Sequence, residues 1–230
     1  MVQQFHQPSL LLIKLDNVVS ELKDLSKEDI QYMRNRGVSE EYYEKIYDFF
    51  KAVGDNIFEV KDFLTDIENK SIVDTIEYGQ HNRYLPIFYD VTVDQKNNES
   101  EFNKNIKPIE EKITNYIYDF IYDNYGFKLI KDPATAIRVN VASPGYACTE
   151  HADFSNKNLP NQARPTNHIT ALCYLNDDFE GGEISWPTQN YSTKPSPNTL
   201  IIFPSHLTHK VSEVLKSNRY VVLLAMKIEK

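Results

Sequence analysis

Apolar residues recur along this chain with two different periods, and the change of period divides it into two parts. Up to about residue 125 the spacing is mostly that of amphipathic helices. Four helices are predicted here, over residues 26–37, from 39 onward, over 65–77 and over 101–124. Short strands are predicted between them, over residues 10–15, 57–64 and 87–93. The long helix over 101–124 carries a broad apolar stripe, so we expect it to support a sheet.

From about residue 134 the pattern changes to short apolar runs separated by turn residues. The predicted strands are 136–141, 149–153, 169–175, 183–186, 199–203 and 219–228. Short strands joined by turns are typical of an antiparallel sandwich or jelly roll. We therefore predict an α+β, mainly β chain with two regions: a mostly helical N-terminal extension over 1–54 and one domain over 55–230.

Composition and charge exclude several classes of function. The net charge of −8 argues against a nucleic-acid backbone as the main partner, because phosphate binding needs a basic face. The longest apolar runs are far too short to span a bilayer, and no secretory signal is recognised at the N-terminus. Two cysteines, Cys148 and Cys173, do not make a disulfide framework. A reduced, cytoplasmic location is the expectation.

Metal-binding residue types occur together at His151 and Asp153. Alternate residues of a strand point to the same side, so a strand ending here would direct both side chains into one cavity. Two imidazoles and one carboxylate on one face of a metal, with the other face open, form the ligand set of non-haem Fe(II) oxygenases. A surface His–Asp pair is the simpler alternative.

Three histidines compete for the third ligand position. His209 follows the apolar strand over 199–203 and opens the next segment, and we prefer it. His206 is better explained as a loop or cavity-wall residue, and His168, at the start of a strand, as an ordinary histidine.

A resemblance to a known family joins these residues to others. The chain resembles the prolyl 4-hydroxylase-like 2-oxoglutarate/Fe(II) dioxygenases over about 134–228, where several motifs follow in the same order and spacing. The matching motifs are Pro144-Gly145, His151-Ala152-Asp153, Tyr174-Leu175-Asn176, Gly181-Gly182-Glu183, Phe203-Pro204-Ser205, His209-Lys210-Val211 and Arg219-Tyr220.

The resemblance implies a double-stranded β-helix that holds Fe(II) through His151, Asp153 and His209. It also implies that 2-oxoglutarate is the co-substrate, O2 the oxidant and ascorbate a candidate reductant. The distal carboxylate of 2-oxoglutarate would be held by Arg219, since a guanidinium is a permanently charged, bidentate clamp for a carboxylate. Tyr174 would assist Arg219. A surface arginine and a core tyrosine are the plain alternatives.

Departures from the family pattern bear on the reaction. Ala142 stands where many relatives have a tyrosine, and Asn198 where a glycine is usual. Related halogenases have a small residue in the place of Asp153, so a carboxylate favours hydroxylation. Related nucleic-acid demethylases usually have a second arginine at the position of Ala225, so the alanine argues against a nucleic-acid demethylase.

The resemblance predicts a hydroxylase whose substrate is a peptidyl proline or another peptide, protein or small molecule. The same chemistry on a free amino acid, a nucleobase or a lipid is one alternative. A catalytically silent jelly-roll binding protein is another. The loop over 154–167, with Arg164, is the candidate substrate lid, and Trp186 and Tyr191 could line the groove, although plain packing explains Trp186 as well. No oligomeric state is predicted.

Overall fold

The computed structural model describes residues 9–13, 39–80, 88–92, 101–131, 137–154 and 167–230. Three helices lie in this part of the chain: α1 (Glu40–Val53), α2 (Asp66–Gln80) and α3 (Glu101–Tyr125). The predicted helix over 26–37 and most of the loop over 154–167, including Arg164, lie outside the described residues. No helix of the described part is long and apolar enough to cross a membrane.

Thirteen strands are described, numbered in chain order. They are β1 (Ser9–Ile13), β2 (Ile57–Lys61), β3 (Phe88–Thr92), β4 (Arg138–Ala142), β5 (Cys148–His151), β6 (Ile169–Tyr174), β7 (Glu180–Gly181), β8 (Ile184–Trp186), β9 (Tyr191–Thr193), β10 (Leu200–Pro204), β11 (His209–Val211), β12 (Val214–Lys216) and β13 (Arg219–Met226). All their pairings are antiparallel.

Two sheets face each other and form a jelly roll, as predicted. The larger sheet has seven strands in the order β1-β2-β10-β6-β13-β4-β3, and the smaller has four in the order β5-β11-β8-β9. A two-stranded ribbon, β12-β7, continues the smaller side. Because side chains of a strand alternate between faces, the larger sheet directs one set of residues towards the helices and the other towards the smaller sheet.

These two faces of the larger sheet are buried in two separate apolar clusters. The face towards the helices packs Val139, Val141, Cys173 and Val222 against residues of α1, α2 and α3. The face towards the smaller sheet packs Leu172, Tyr174, Ile201, Phe203 and Val221 against Phe179, Ile184 and Trp186. The candidate site lies beside the second cluster, so the residues that face the smaller sheet are the ones that line it.

Local signals in the sequence explain the helix boundaries. Ser39 caps α1 by accepting a hydrogen bond from the Tyr42 amide, and Gly54, at φ 62°, ends it. Thr65 and Glu68 form a reciprocal capping box before α2: the Thr65 amide donates to the Glu68 carboxylate at 2.8 Å, and the Glu68 amide donates to the Thr65 hydroxyl at 3.2 Å. These starts agree with the prediction, while α2 continues to Gln80, three residues beyond the predicted end.

The described residues of the region over 1–54, 9–13 and 39–54, share contacts with the rest of the chain. Ile46, Phe49, Phe50 and Val53 of α1 are buried in the cluster that contains the sheet residues. The Tyr42 hydroxyl donates to the Ile228 carbonyl at 2.8 Å, and β1 pairs with β2 along five residues. The boundary at residue 54 stays a prediction, but α1 is structurally part of the domain's packing.

Candidate metal and co-substrate site

The three residues predicted to bind a metal lie together between the two sheets. Ligand atoms of His151, Asp153 and His209 all lie within 4.8 Å of one another. Asp153 Oδ1 is 3.5 Å from His151 Nε2, and Asp153 Oδ2 is 3.9 Å from His209 Nε2. The cluster therefore presents two imidazole nitrogens and a carboxylate towards one point, which is the donor set that suits non-haem iron.

Two neighbouring strands bring these residues together. His151 ends β5 and lies opposite His209, the first residue of β11. Their rings are 4.4 Å apart between centroids. Asp153 lies in a bend after β5, not within the strand as predicted. The carboxylate still reaches the two histidines, because the bend turns it back beside Thr170 of β6, whose hydroxyl donates to Asp153 Oδ2 at 2.7 Å.

Backbone carbonyl groups orient both imidazoles. His151 Nδ1 lies 2.8 Å from the Thr149 carbonyl, and His209 Nδ1 lies 3.0 Å from the Leu207 carbonyl. A carbonyl only accepts, so each Nδ1 carries a hydrogen, and a metal would bind at Nε2 of each ring once that ring is neutral. Such partners beyond the ligands fix ring orientation in metal sites.

The charge on Asp153 acts differently on the two histidines. The hydrogen bond with Asp153, followed by that with Cys148, raises the pKa of His151 to about 10. Burial lowers the pKa of His209, despite the attraction of Asp153. Burial opposes ionisation of Asp153, but His151 and His209 outweigh it and hold the pKa of the carboxyl group below its usual range. One carboxylate thus stabilises one imidazolium, on the more exposed histidine.

A buried arginine and tyrosine lie further along the same inner face. Arg219, the first residue of β13, is 4% exposed, and Tyr174 at the end of β6 is fully buried. Arg219 Nη2 donates to the Tyr174 hydroxyl at 2.7 Å, and its guanidinium lies 4.9 Å from the centre of that ring. Arg219 Nε has no hydrogen-bond partner. Within the described part of the chain, no carboxylate lies within salt-bridge distance of this arginine.

Gly182 makes room for the arginine. A Cβ atom there would lie 3.1 Å from the Phe179 ring and 3.2 Å from Arg219 Cδ. Gly182 also has φ 65°, a conformation that glycine adopts readily and side-chain-bearing residues rarely do. The glycine pair noted in the sequence therefore has a direct part in shaping this end of the site.

The residues present fit both groups that the ligand pattern implies. Two histidines and an aspartate match Fe(II), and a buried guanidinium without a counter-charge matches a carboxylate ligand. A buried cation is costly unless an anion accompanies it, and Arg219 Nε is a donor without a partner in the protein. Arg219 and Tyr174 thus have the charge and the hydrogen-bond donor that a carboxylate ligand requires.

The other residues that the sequence analysis considered for the site make contacts elsewhere in the protein. His206 Nε2 lies 3.2 Å from Asp55 Oδ1, and its ring packs 4.6 Å from that of Phe50. His168 is fully buried and accepts a hydrogen bond from the Ile228 amide at 3.0 Å. Neither contributes to the metal cluster. Trp186 is fully buried as well, stacked on Tyr191 and edge-on to Phe203, so plain packing accounts for it.

Three further residues lie near the metal ligands, although the sequence analysis did not predict them as site residues. Thr170 and Ser205 lie behind Asp153, and their hydroxyl oxygens are 2.8 Å apart. Cys148 Sγ lies 3.6 Å from His151 Nδ1. The pairing of β6 with β10 brings Thr170 and Ser205 to the site, whereas Cys148 lies on β5 together with His151. The one sequence feature that could have pointed to Thr170 is a polar residue inside an otherwise apolar strand.

Comparisons with known proteins agree with this geometry. Residues 137–226 match the family described as the 2OG-Fe(II) oxygenase superfamily. No curated protein sequence matches the chain.

Solved prolyl hydroxylases share the fold. The viral collagen prolyl hydroxylase of Paramecium bursaria Chlorella virus-1, in its 2-oxoglutarate complex, is 17% identical with a TM-score of 0.57, over 78% of this chain and 99% of that one. A Trichoplax adhaerens prolyl hydroxylase bound to a hypoxia-inducible-factor peptide fragment is 15% identical with a TM-score of 0.57, over 89% and 94%. Prolyl 4-hydroxylases from Phytophthora capsici are 16% identical with a TM-score of 0.58, over 94% and 70%.

At these identities the likeness to solved structures establishes the fold alone. The family match and the intact His–Asp–His cluster establish the class of enzyme. Residues 137–226 match the 2OG-Fe(II) oxygenase superfamily, and this segment contains a complete facial triad for a dioxygenase.

Proposed function

We propose that this dioxygenase hydroxylates a peptidyl proline, with Fe(II) held by His151, Asp153 and His209. The observation that carries the proposal is the arrangement along one strand, β6. Thr170 near its start contacts Asp153, and Tyr174 at its end contacts Arg219. Both residues face the smaller sheet, because they are four apart. A metal-binding end and an anion-binding end therefore lie on one continuous inner face.

Arg219 and Tyr174 would hold the distal carboxylate of 2-oxoglutarate, while its keto acid end reaches the metal. The guanidinium supplies the charge, and the tyrosine hydroxyl keeps it in place through the 2.7 Å hydrogen bond. The apolar residues Leu172 and Val221 lie between the two ends and would contact the methylene part of such a ligand. This division into charged ends and an apolar middle matches the chemistry of a short dicarboxylate.

The protein's own contribution is binding, orientation and exclusion of water. With O2 as the oxidant and the source of the oxygen atom, bound iron and 2-oxoglutarate would supply the chemistry that converts a substrate C–H bond to C–OH. Phe203 and Trp186 are fully buried, with ring centroids 5.0 Å and 6.4 Å from that of His209, and they close the inner side of the site. His151 is the more exposed of the two histidines, so we infer that substrate approaches from its side.

One observation supports the choice of a proline within a peptide, and a second supports hydroxylation as the reaction. Prolyl hydroxylases occur repeatedly among the solved structures with this fold, one of them with a peptide bound. The carboxylate of Asp153 occupies the position that a small residue takes in the related halogenases, which favours hydroxylation. Ascorbate is the reductant we propose for maintaining Fe(II).

The test is a product assay on peptides. The protein is incubated with Fe(II), 2-oxoglutarate, ascorbate and either a repeating Pro-Pro-Gly peptide or a hypoxia-inducible-factor fragment. We expect succinate release and the gain of one oxygen atom on a proline, located by tandem mass spectrometry. Asp153→Ala is the matched inactive control. Succinate release with no peptide oxidised, or oxidation of residues other than proline, would refute the substrate assignment while retaining the oxygenase.

A further inference from the structure

Two buried hydroxyl groups lie next to Asp153, on the side of its Oδ2 atom. Thr170 is 1% exposed and Ser205 is fully buried. Thr170 Oγ1 lies 2.7 Å from Asp153 Oδ2 and 2.8 Å from Ser205 Oγ. Thr170 belongs to β6 and Ser205 follows β10, two strands that pair directly. The three side chains therefore form a short chain of hydrogen bonds that ends on the carboxylate.

The direction of these hydrogen bonds follows from the donors available. An ionised carboxylate only accepts, so Thr170 donates its single hydroxyl hydrogen to Asp153 Oδ2. That hydrogen is then used, and Ser205 must donate to Thr170 Oγ1. The sequence of donation is Ser205 to Thr170 to Asp153. A donor that itself accepts a hydrogen bond is strengthened by it, so the serine supports the threonine.

Backbone hydrogen bonds hold Ser205 in this position. Its carbonyl accepts from the Phe154 amide at 2.8 Å, and its amide donates to the His168 carbonyl at 3.0 Å. The first bond fixes the residue directly after Asp153, and the second fixes the residue two before Thr170. Ser205 thus ties the bend that carries the carboxylate to the strand that carries the threonine.

We propose that Thr170 is a positioning residue that keeps Asp153 monodentate towards the metal, with Ser205 orienting the threonine hydroxyl. Oδ2 is occupied by the threonine, and Oδ1, 3.5 Å from His151 Nε2, is left for the metal. The inference rests on the metal site of the proposed function and not on the identity of its substrate.

A monodentate Asp153 matters because the metal has a limited number of coordination positions. A six-coordinate metal with three protein atoms has three positions left, and a keto acid that chelates through two atoms leaves one for O2. A bidentate Asp153 would take a fourth position, and the co-substrate and O2 would then compete for two. A hydrogen bond to Oδ2 prevents that without adding a ligand.

The test uses Co(II) binding, measured anaerobically without substrate. Thr170→Val removes the hydroxyl and keeps the shape of the side chain. We expect about a 10- to 100-fold loss of Co(II) affinity, the usual effect of losing a residue that orients a metal ligand. We also expect a changed visible Co(II) spectrum, since that spectrum depends on coordination number, and weaker binding of 2-oxoglutarate to the Co(II)-loaded protein. Ser205→Ala should change each property in the same direction but by less.

Two further variants separate positioning from structural damage. Thr170→Ser retains the hydroxyl and should restore the wild-type spectrum. Thr199→Val is the matched control, because Thr199 is another 1% exposed threonine whose hydroxyl lies 3.1 Å from a serine hydroxyl, that of Ser196. It should lower thermal stability without altering Co(II) binding. If Thr170→Val does not fold, the same comparison is made between Ser205→Ala and Thr199→Val.

The outcomes distinguish this inference from the proposed function. Wild-type affinity and spectrum in Thr170→Val, or in Ser205→Ala where that variant replaces it, would overturn the positioning role and leave the metal site intact. Equal losses in Thr199→Val would overturn it as well, because the effect would then be one of general stability. A wild-type protein that binds no Co(II) would overturn the metal site and with it both proposals.

Discussion

Arg219 donates a hydrogen bond of 2.7 Å to the hydroxyl of Tyr174, and both side chains are buried on the inner face of the larger sheet. They lie on adjacent strands, since Tyr174 pairs with Val221, two residues beyond Arg219. The hydroxyl of Tyr174 is uncharged, so this hydrogen bond does not neutralise the positive charge of Arg219. An anion bound beside Arg219 and Tyr174 would supply the negative charge that the protein itself does not provide there.

The first prediction concerns the binding of 2-oxoglutarate. Arg219→Gln should weaken binding to the metal-loaded protein by about 10- to 100-fold, because hydrogen bonds to charged groups contribute about 1.5–3 kcal/mol each. Tyr174→Phe should weaken it less, since the charge remains. Calorimetric titration of 2-oxoglutarate into the Mn(II)-loaded protein measures both. Lys216→Gln is the control, because Lys216 is an exposed cation paired with Glu180. Unchanged affinity in Arg219→Gln would refute the assignment.

The second prediction separates the two histidines near the end of β10. His209→Ala should reduce metal affinity by more than about 100-fold, which exceeds the usual loss for residues that only orient a ligand. His206→Ala should leave metal stoichiometry at the wild-type value. It should instead destabilise the fold by about 1–3 kcal/mol, because the buried Asp55 would lose one of its two hydrogen-bond partners and keep only Gln189. Equilibrium dialysis with metal analysis and urea unfolding give the two quantities, and the reverse pattern would contradict the assignment.

The metal ligands and the class of fold could be predicted from the sequence, whereas the residues around the ligands could not. The spacing of His151 and Asp153 and the position of His209 after an apolar run are local features, and the structure brings the three together. The prediction that His151 and Asp153 lie in one strand was wrong, since Asp153 lies in a bend beyond the strand. The bend depends on Thr170 and Ser205, which are distant along the chain.

Contacts that depend on strand register explain most of what the sequence did not reveal. Thr170 pairs with Phe203 across β6 and β10, and this places Ser205 beside it. A shift of one residue would turn every side chain of β10 to the opposite face. No local pattern in either strand fixes that register. The burial of α1 in the domain's core likewise depends on tertiary packing, and amphipathic spacing indicated only that the helix has an apolar face.

The third prediction concerns this burial of α1. Phe49 is fully buried, and its ring packs edge-on against Phe127 at 5.2 Å between centroids. Phe49→Ala should destabilise the whole fold by about 3–5 kcal/mol, the usual range for deleting a buried phenylalanine side chain. Asp48→Ala, at an exposed position of the same helix, should change stability by less than about 0.5 kcal/mol. Urea unfolding followed by circular dichroism distinguishes them. A separate, loosely attached extension would show no global loss.

The last prediction concerns stability in acid. His168 is fully buried among Tyr42, Phe49, Phe50 and Phe154, and burial lowers its pKa to about 3. The unfolded chain, with the histidine near its ordinary value of about 6.5, binds the proton more readily. The stabilisation is therefore complete above about pH 6.5 and is lost as the pH falls towards 3, by up to about 1.4 kcal/mol per pH unit. The difference in unfolding free energy between wild type and His168→Gln should accordingly shrink between pH 7.5 and 5.5, and a constant difference would refute the role of this proton.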